Sequence, residues 1–313
     1  MSRQITGAVI EELNAPFKLE TLEVDDQPKA HEVLVHIVAS GICHSDEAVR
    51  NGSAGEYPYP GVVGHEGAGI VEKVGDQVTT VKEGDHVILS YDYDGTCRHC
   101  LTGHPSSCVN WAKLNMEGVC PDGSVAFTRE DGSPIHNFFN QSSFTTETLV
   151  QERNVTVIDK TIDLRKVGPL GCGFVTGSGT VFNGLNPKEG TTIAIVGTGA
   201  VGSAALMAAK IKAAQRLFAL IFMTHVWKWP RNLVQRIRLI VSTKIGSTRS
   251  TKSQMARVST LPSIQPVFQL LCIKPLLPLL PAATWPQSQL PRRHWNSCHG
   301  SRVPLCKSTL TVS

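Results

Sequence analysis

A β-branched run, Thr191-Thr192-Ile193-Ala194-Ile195-Val196, ends in Gly197-Thr198-Gly199-Ala200-Val201-Gly202 and passes into Ser203-Ala204-Ala205-Leu206-Met207-Ala208-Ala209-Lys210. The run suits a buried parallel strand and the alanine-rich segment suits a helix. A strand that turns on glycines into a helix is one βα unit of an α/β sheet. The glycine pattern alone is a weak signal. Set between strand and helix it becomes a dinucleotide fingerprint. The glycines allow a tight turn, close approach of a pyrophosphate and helix–strand packing, and the helix N-terminus favours an anion. Gly197, Gly199, Val201 and Gly202 are the candidate cofactor-contacting positions.

The fingerprint also expects an acidic residue about 20 positions on, to hold a ribose hydroxyl. None follows. All 26 acidic residues lie at or before Glu189. From Met1 to Lys210 there are 15 Lys+Arg against 26 Asp+Glu; from Ile211 to Ser313 there are 15 Lys+Arg and no acid. Such a split can mark a nucleic-acid or membrane tail. Against that reading, the basic residues are scattered and no recognised binding motif appears. The segment also holds four of the five tryptophans, and Pro275, Pro278 and Pro281 break its longest apolar stretch. A slip of the reading frame between about Lys210 and Leu220, shifting all that follows, is the expectation that accounts for these features. Reading Leu220–Gln235 from the third base of each codon, Met223-Thr224 must give Asp, Trp227-Lys228 Glu and Trp229-Pro230 Ala. With permitted codons elsewhere the result is DIHDTRLEMAKELGAT, an acid-tipped strand leading into a helix. In the frame as written, the βα unit has no encoded neighbours, and a lone unit cannot offset its ordering entropy.

The first 150 residues read as β-rich. His31–Ala39 contains partial alternation, and Gly69–Gly75 and Asp85–Leu89 are short apolar runs bounded by Gly and Asp. Within this region lie Cys43 and His65, and Cys172 follows. Two thiolates and one imidazole form a donor set that prefers zinc, and three protein ligands leave a fourth tetrahedral position open, as in catalytic sites. Nine cysteines without a recognisable leader read as metal ligands and free thiols rather than disulfides.

Gly41-Ile42-Cys43-His44-Ser45-Asp46, Gly61-Val62-Val63-Gly64-His65-Glu66-Gly67-Ala68-Gly69-Ile70-Val71 and Gly171-Cys172-Gly173, in that order, resemble the zinc-dependent alcohol dehydrogenases of the medium-chain dehydrogenase/reductase superfamily. The likeness runs from the N-terminus to about Lys210. The fold it implies is α/β overall: a GroES-like catalytic domain over 1–150, a hinge and first βα unit of an incomplete Rossmann-type domain over 151–210, and an irregular, disordered basic tail over 211–313.

The implied chemistry is hydride transfer to NAD, with NADP not excluded, from an alcohol deprotonated at zinc, giving an aldehyde or ketone. The catalytic set is then Cys43, Ser45, His65, Glu66 and Cys172, with Ser45 in a proton relay, Asp46 orienting His65, and Glu66 able to approach the metal. His44 and Thr176 join the glycine loop as cofactor contacts. Many relatives place a His five residues after the first ligand, at the outer end of the relay; here that residue is Ala48. Asp94, Cys97, Cys100 and Cys108 have the family's structural-zinc spacing, with Asp94 where relatives carry Cys. The alternatives there are a Cys₃Asp zinc site and a degenerate site.

A small alcohol or aldehyde is the expected partner, with no specific nucleic acid and no membrane. The Asn51–Pro60 loop suggests the aryl-alcohol branch. The cytosol and a homo-oligomer are expected by default. The competing reading is a non-catalytic, zinc-binding remnant with a basic tail.

Overall fold

In the computed structural model of the chain, residues 2–212 are described, together with the backbone of 216–222, 237–242, 268–272 and 309–312. The chain divides into two compact units, Met1–Cys172 and Gly173–Ser313.

The first unit contains β1 (Ser2–Ile10), β2 (Lys18–Asp25), β3 (Glu32–Ser40), α1 (His44–Arg50), β4 (Gly61–Val62), β5 (Gly67–Val74), β6 (His86–Leu89), α2 (Arg98–Leu101), α3 (Trp111–Met116), β7 (Phe127–Thr128), β8 (Pro134–Ile135), β9 (Glu147–Gln151) and β10 (Val155–Ile158). Two five-stranded sheets result, ordered β4-β1-β2-β7-β8 and β10-β6-β5-β3-β9. Alternation sets the faces: in β1, Ile5, Gly7 and Val9 are buried while Gln4 and Thr6 are exposed. Ile5, Val9, Leu22, Val24, Val62, Phe127 and Ile135 fill the core of the first sheet. Val33, Val35, Val71, Val87, Leu89 and Val150 fill that of the second. The segment Phe144–Thr146 joins the sheets: Ala8 N–H donates to the Phe144 carbonyl, Thr146 N–H to Thr6, and Ile37 N–H to Thr146.

The β-rich reading therefore holds, with the strands expected near His31, Gly69 and Asp85 appearing as β3, β5 and β6. The unit runs past residue 150 because β10 returns to pair antiparallel with β6.

The second unit opens with α4 (Gly173–Gly179), followed by a π-helical stretch over Thr180–Leu185, then β11 (Thr192–Val196) and α5 (Ala200–Ile211). Ile193 and Ile195 of β11 pack with Ala205, Leu206, Ala208 and Ala209 of α5. Gly202 must lack a side chain, since a Cβ there would stand 2.0 Å from the Gly197 carbonyl oxygen. This is the close helix–strand approach expected of the fingerprint's third glycine.

Beside β11, the backbone after α5 forms further strands. Strands β12 (Arg216–Phe222), β13 (Ile237–Ser242), β14 (Phe268–Cys272) and β15 (Thr309–Val312) complete a sheet ordered β13-β12-β11-β14-β15. Strand β11 pairs in parallel with both β12 and β14. The runs Leu217–Phe222 and Phe268–Cys272 are short and mostly apolar, and neither alternates. The disorder expected for 211–313 otherwise concerns positions outside the described residues. Among the described residues, no helix is long and apolar enough to cross a membrane.

Candidate metal centres

Cys43 is the N-cap of α1, with an extended backbone. Asp46, three residues on, turns its carboxylate back: Oδ2 accepts from the Cys43 N–H at 2.8 Å. Its Oδ1 accepts from the Gly64 N–H at 3.0 Å and lies 2.9 Å from Nδ1 of His65. Asp46 and His65 are each 1% exposed. One carboxylate therefore fixes both the ring of His65 and the start of the helix that carries Cys43.

Cys43, His65, Glu66 and Cys172 bring one potential ligand atom each to within 4.8 Å of one another. With Nδ1 turned to Asp46, the other ring nitrogen of His65, Nε2, is buried and has no hydrogen-bond partner. A buried nitrogen without a partner costs stability, and a metal on Nε2 removes that cost. The donor set and this orphaned atom fit zinc. Burial disfavours charge on His65, but the Asp46 carboxylate on its Nδ1 and the nearby Cys43 sulfur outweigh that and raise it to about 10. The Cys172 hydrogen bond, with help from His65, brings the Cys43 thiol down to about 3 despite burial. Beside that thiolate, and buried, the Cys172 thiol is pushed far up.

Ser45 Oγ lies 3.9 Å from Cys43 Sγ. His44 is exposed on the same turn.

Asp94, Cys97, Cys100 and Cys108 form a second cluster with one ligand atom each within 4.8 Å. Neither His99 nor His104 belongs to it. Asp94 Oδ1 accepts from Thr96 N–H and Cys97 N–H, both at 2.8 Å, and Oδ2 accepts from Asn110 Nδ2 at 2.8 Å. These bonds, the Cys97 backbone first, hold the carboxyl well below its ordinary range. Each carboxylate oxygen has two acceptor sites, so Oδ2 keeps one for a metal. Cys97 and Cys100 stand 3.5 Å apart, sulfur to sulfur. Desolvation and the neighbouring Cys97 push Cys100 up to about 12.

A third group, His36, Glu72 and Glu147, also clusters. There Glu72 pairs with Arg3 and Glu147 faces His36.

Sequence reasoning missed the aromatic wall of the first centre. The Phe139 ring stacks on His65 at 4.7 Å between centroids, Phe138 meets it edge-on at 5.4 Å, and Trp111 abuts Phe139 at 5.4 Å. Phe139, Asn140 and Ser142 all have positive φ (57°, 47° and 48°), a conformation costly for Phe. The only local signal was polar density: Asn137, Asn140, Gln141, Ser142 and Ser143 are all buried. Asp92, also buried, accepts from Asn140 at 2.9 Å and takes a bidentate hold from Arg153.

In the second unit, the backbone of Gly197-Thr198-Gly199 lies between β11 and α5, as a phosphate-binding turn requires. Val201 is partly buried and Thr176, on α4, is exposed.

Residues 29–158 match the family described as "Alcohol dehydrogenase GroES-like domain". The chain is 39% identical over 215 residues to S-(hydroxymethyl)glutathione dehydrogenase of Saccharomyces cerevisiae, a match covering 68% of this chain and 55% of that protein. It therefore spans little more than half the length of that relative. Among solved structures, benzyl alcohol dehydrogenase from Acinetobacter calcoaceticus is 34% identical, with a TM-score of 0.70, covering 82% of this chain and 68% of that one. An alcohol dehydrogenase zinc-binding domain protein from Burkholderia ambifaria is 42% identical, with a TM-score of 0.68, covering 71% and 60%.

Proposed function

Because the chain belongs to the zinc-dependent alcohol dehydrogenases of the medium-chain dehydrogenase/reductase superfamily, we propose that Cys43, His65 and Cys172 hold a zinc ion beside which an alcohol is oxidised by NAD. The observation that carries this is the buried, unpartnered Nε2 of His65, clustered with two thiols and a carboxylate. When bound, zinc supplies a Lewis acid that lowers the pKa of an alcohol hydroxyl. The protein groups divide the remaining work. Asp46 fixes the His65 tautomer so that Nε2 presents a lone pair. Ser45, both donor and acceptor, takes the proton leaving the alcohol. With Ala48 where relatives extend the relay, that proton passes to water. Glu66 stands close enough to take part in ligand exchange.

The glycine loop from Gly197 to Gly202, with His44 and Thr176, is the proposed dinucleotide contact. Asp94, Cys97, Cys100 and Cys108 are the proposed structural zinc ligands. Phe138, Phe139 and Trp111 give the centre an apolar aromatic flank. Together with the likeness to a benzyl alcohol dehydrogenase, this favours aryl alcohols as the substrate class.

A second reading, a zinc-binding remnant without turnover, has its own support. Strand β12 lies beside β11, where the ribose-holding acid is expected, yet no residue after Glu189 is acidic. Metal analysis combined with benzyl-alcohol-dependent NADH formation separates the two. Bound zinc with turnover supports the dehydrogenase, bound zinc without turnover supports the remnant, and a chain that takes up no zinc sinks both.

A further inference from the structure

We propose that Ser90 and Gln141 are positioning residues that tie the Cys172 arm to the His65 segment, so that three sequence-distant ligands close on the metal as one unit. The proposal rests on the zinc reading of the first centre.

Asp46 accounts for only two of the ligands. It binds the Cys43 N–H, the Gly64 N–H and His65, and none of these bonds reaches Cys172. The backbone N–H of Cys172 bonds only locally, to the Pro169 carbonyl at 3.3 Å. The arm instead gets its anchor one residue earlier. Ser90, just beyond β6, donates its hydroxyl to the Gly171 carbonyl at 3.0 Å. Its N–H donates to the Asn154 carbonyl at 2.9 Å, which holds Ser90 itself in place. Its carbonyl accepts from Gln141 Nε2 at 3.1 Å, and Gln141 Oε1 accepts from the Gly67 N–H at 2.9 Å.

Three hydrogen bonds thus run without a break from Gly67, two residues past His65, to Gly171, one residue before Cys172. Gln141 is 1% exposed, and both ends of its amide are used. Packing reinforces the link. A Cβ on Gly171 would stand 1.9 Å from the Leu89 carbonyl oxygen, so the arm lies directly against the β6 backbone. Gln141 also belongs to the stretch that braces the histidine segment. Ser142 Oγ donates to the Val62 carbonyl, Ser143 N–H to Gly64 and Phe144 N–H to Val63. The same stretch therefore grips the segment before His65 and, through Ser90, the arm bearing Cys172.

Outer partners of this kind set ligand orientation, and their loss typically weakens metal affinity by about 10–100-fold. The experiment uses the full chain loaded with Co²⁺, with Cys172→Ser as the baseline that isolates this centre from the second cluster. Ser90→Ala is expected to shift the visible cobalt band and to release the metal to a chelator about tenfold faster. Ser90→Thr, which keeps the hydroxyl, is expected to restore both. Gln141→Met keeps the volume, removes both amide bonds and tests the link from its other end, with the same two changes expected. A wild-type band and release rate in both Ser90→Ala and Gln141→Met would overturn the proposal and leave the zinc reading standing. A wild-type spectrum identical to that of Cys172→Ser would overturn the zinc reading and the proposal with it.

Discussion

Oδ1 of Asp46 lies 2.9 Å from Nδ1 of His65 while its Oδ2 accepts from the backbone of Cys43 at 2.8 Å. The spacing explains why one side chain can do both. Asp46 stands at the third position of α1, where a carboxylate naturally folds back onto its N-cap, and the N-cap is Cys43. Asp46→Asn keeps the shape but removes the charge that supports the imidazole. Zinc affinity at the first centre is expected to fall about 10–100-fold, with the fold intact. Competition against a chelator measures it, and an unchanged affinity would contradict this role.

Zinc binding should strengthen with rising pH. In the metal-free protein His65 is raised to about 10, so it is cationic at neutral pH. The Cys172 thiol is likewise raised. Cys43, lowered to about 3, is already a thiolate. The metal needs a neutral imidazole and thiolates, so binding must displace protons from His65 and Cys172. A group whose pKa is raised surrenders its proton more readily as pH climbs. Apparent affinity is therefore expected to increase about tenfold per pH unit for each proton released. Titrations between pH 6 and 8 test this; a flat profile would show that no proton leaves.

The second cluster gives a stoichiometric prediction. Both Asp94 oxygens already accept hydrogen bonds, but Oδ2 accepts only one. Asp94→Ala is expected to reduce bound zinc from two equivalents per chain to one, while Asp94→Cys keeps two. Atomic absorption on dialysed protein reads the difference. Two equivalents in Asp94→Ala would mean that the three cysteines hold the ion unaided.

Asp92 is fully buried and joins Arg153, Asn140 and the Tyr93 N–H. Asp92→Ala leaves a guanidinium and an amide without their acceptor. Unfolding free energy of the first unit is expected to drop by about 1–3 kcal/mol, the scale for leaving buried polar groups without their partner. Urea denaturation measures it; a loss below about 1 kcal/mol would mean that water replaces the carboxylate.

The clustering of Cys43, His65 and Cys172 was legible because soft and imidazole donors are confined to few residue types and their glycine-rich surroundings are distinctive. The strands around His31 and Asp85 were legible because apolar runs bounded by turn residues leave little choice. The brace from Phe138 to Phe144 was not. Its conformation violates local preference at Phe139, and its Asn, Gln and Ser side chains read as a solvated loop, although they are buried and bonded. Only tertiary contacts override both signals.

The proposed dinucleotide site offers the sharpest test of what the acid-free segment after Glu189 does. The turn between β11 and α5 has the glycines a pyrophosphate needs. Strand β12 follows in parallel register beside β11, so the ribose-holding acid belongs near its C-terminal end. The sequence there is Leu220-Ile221-Phe222-Met223, without an acid. Binding therefore keeps the phosphate contact and loses the hydrogen bonds to the ribose, each worth about 1.5–3 kcal/mol when one partner is charged. NAD affinity is expected to be at least about tenfold weaker than in a chain re-encoded with the shifted frame from Leu220 onward, which restores Asp at that first position. Fluorescence titration with NADH compares the two. Equal affinities would show that the ribose acid matters little here, and sequencing the gene across codons 205–225 would reveal whether a one- or two-base slip produced the tail.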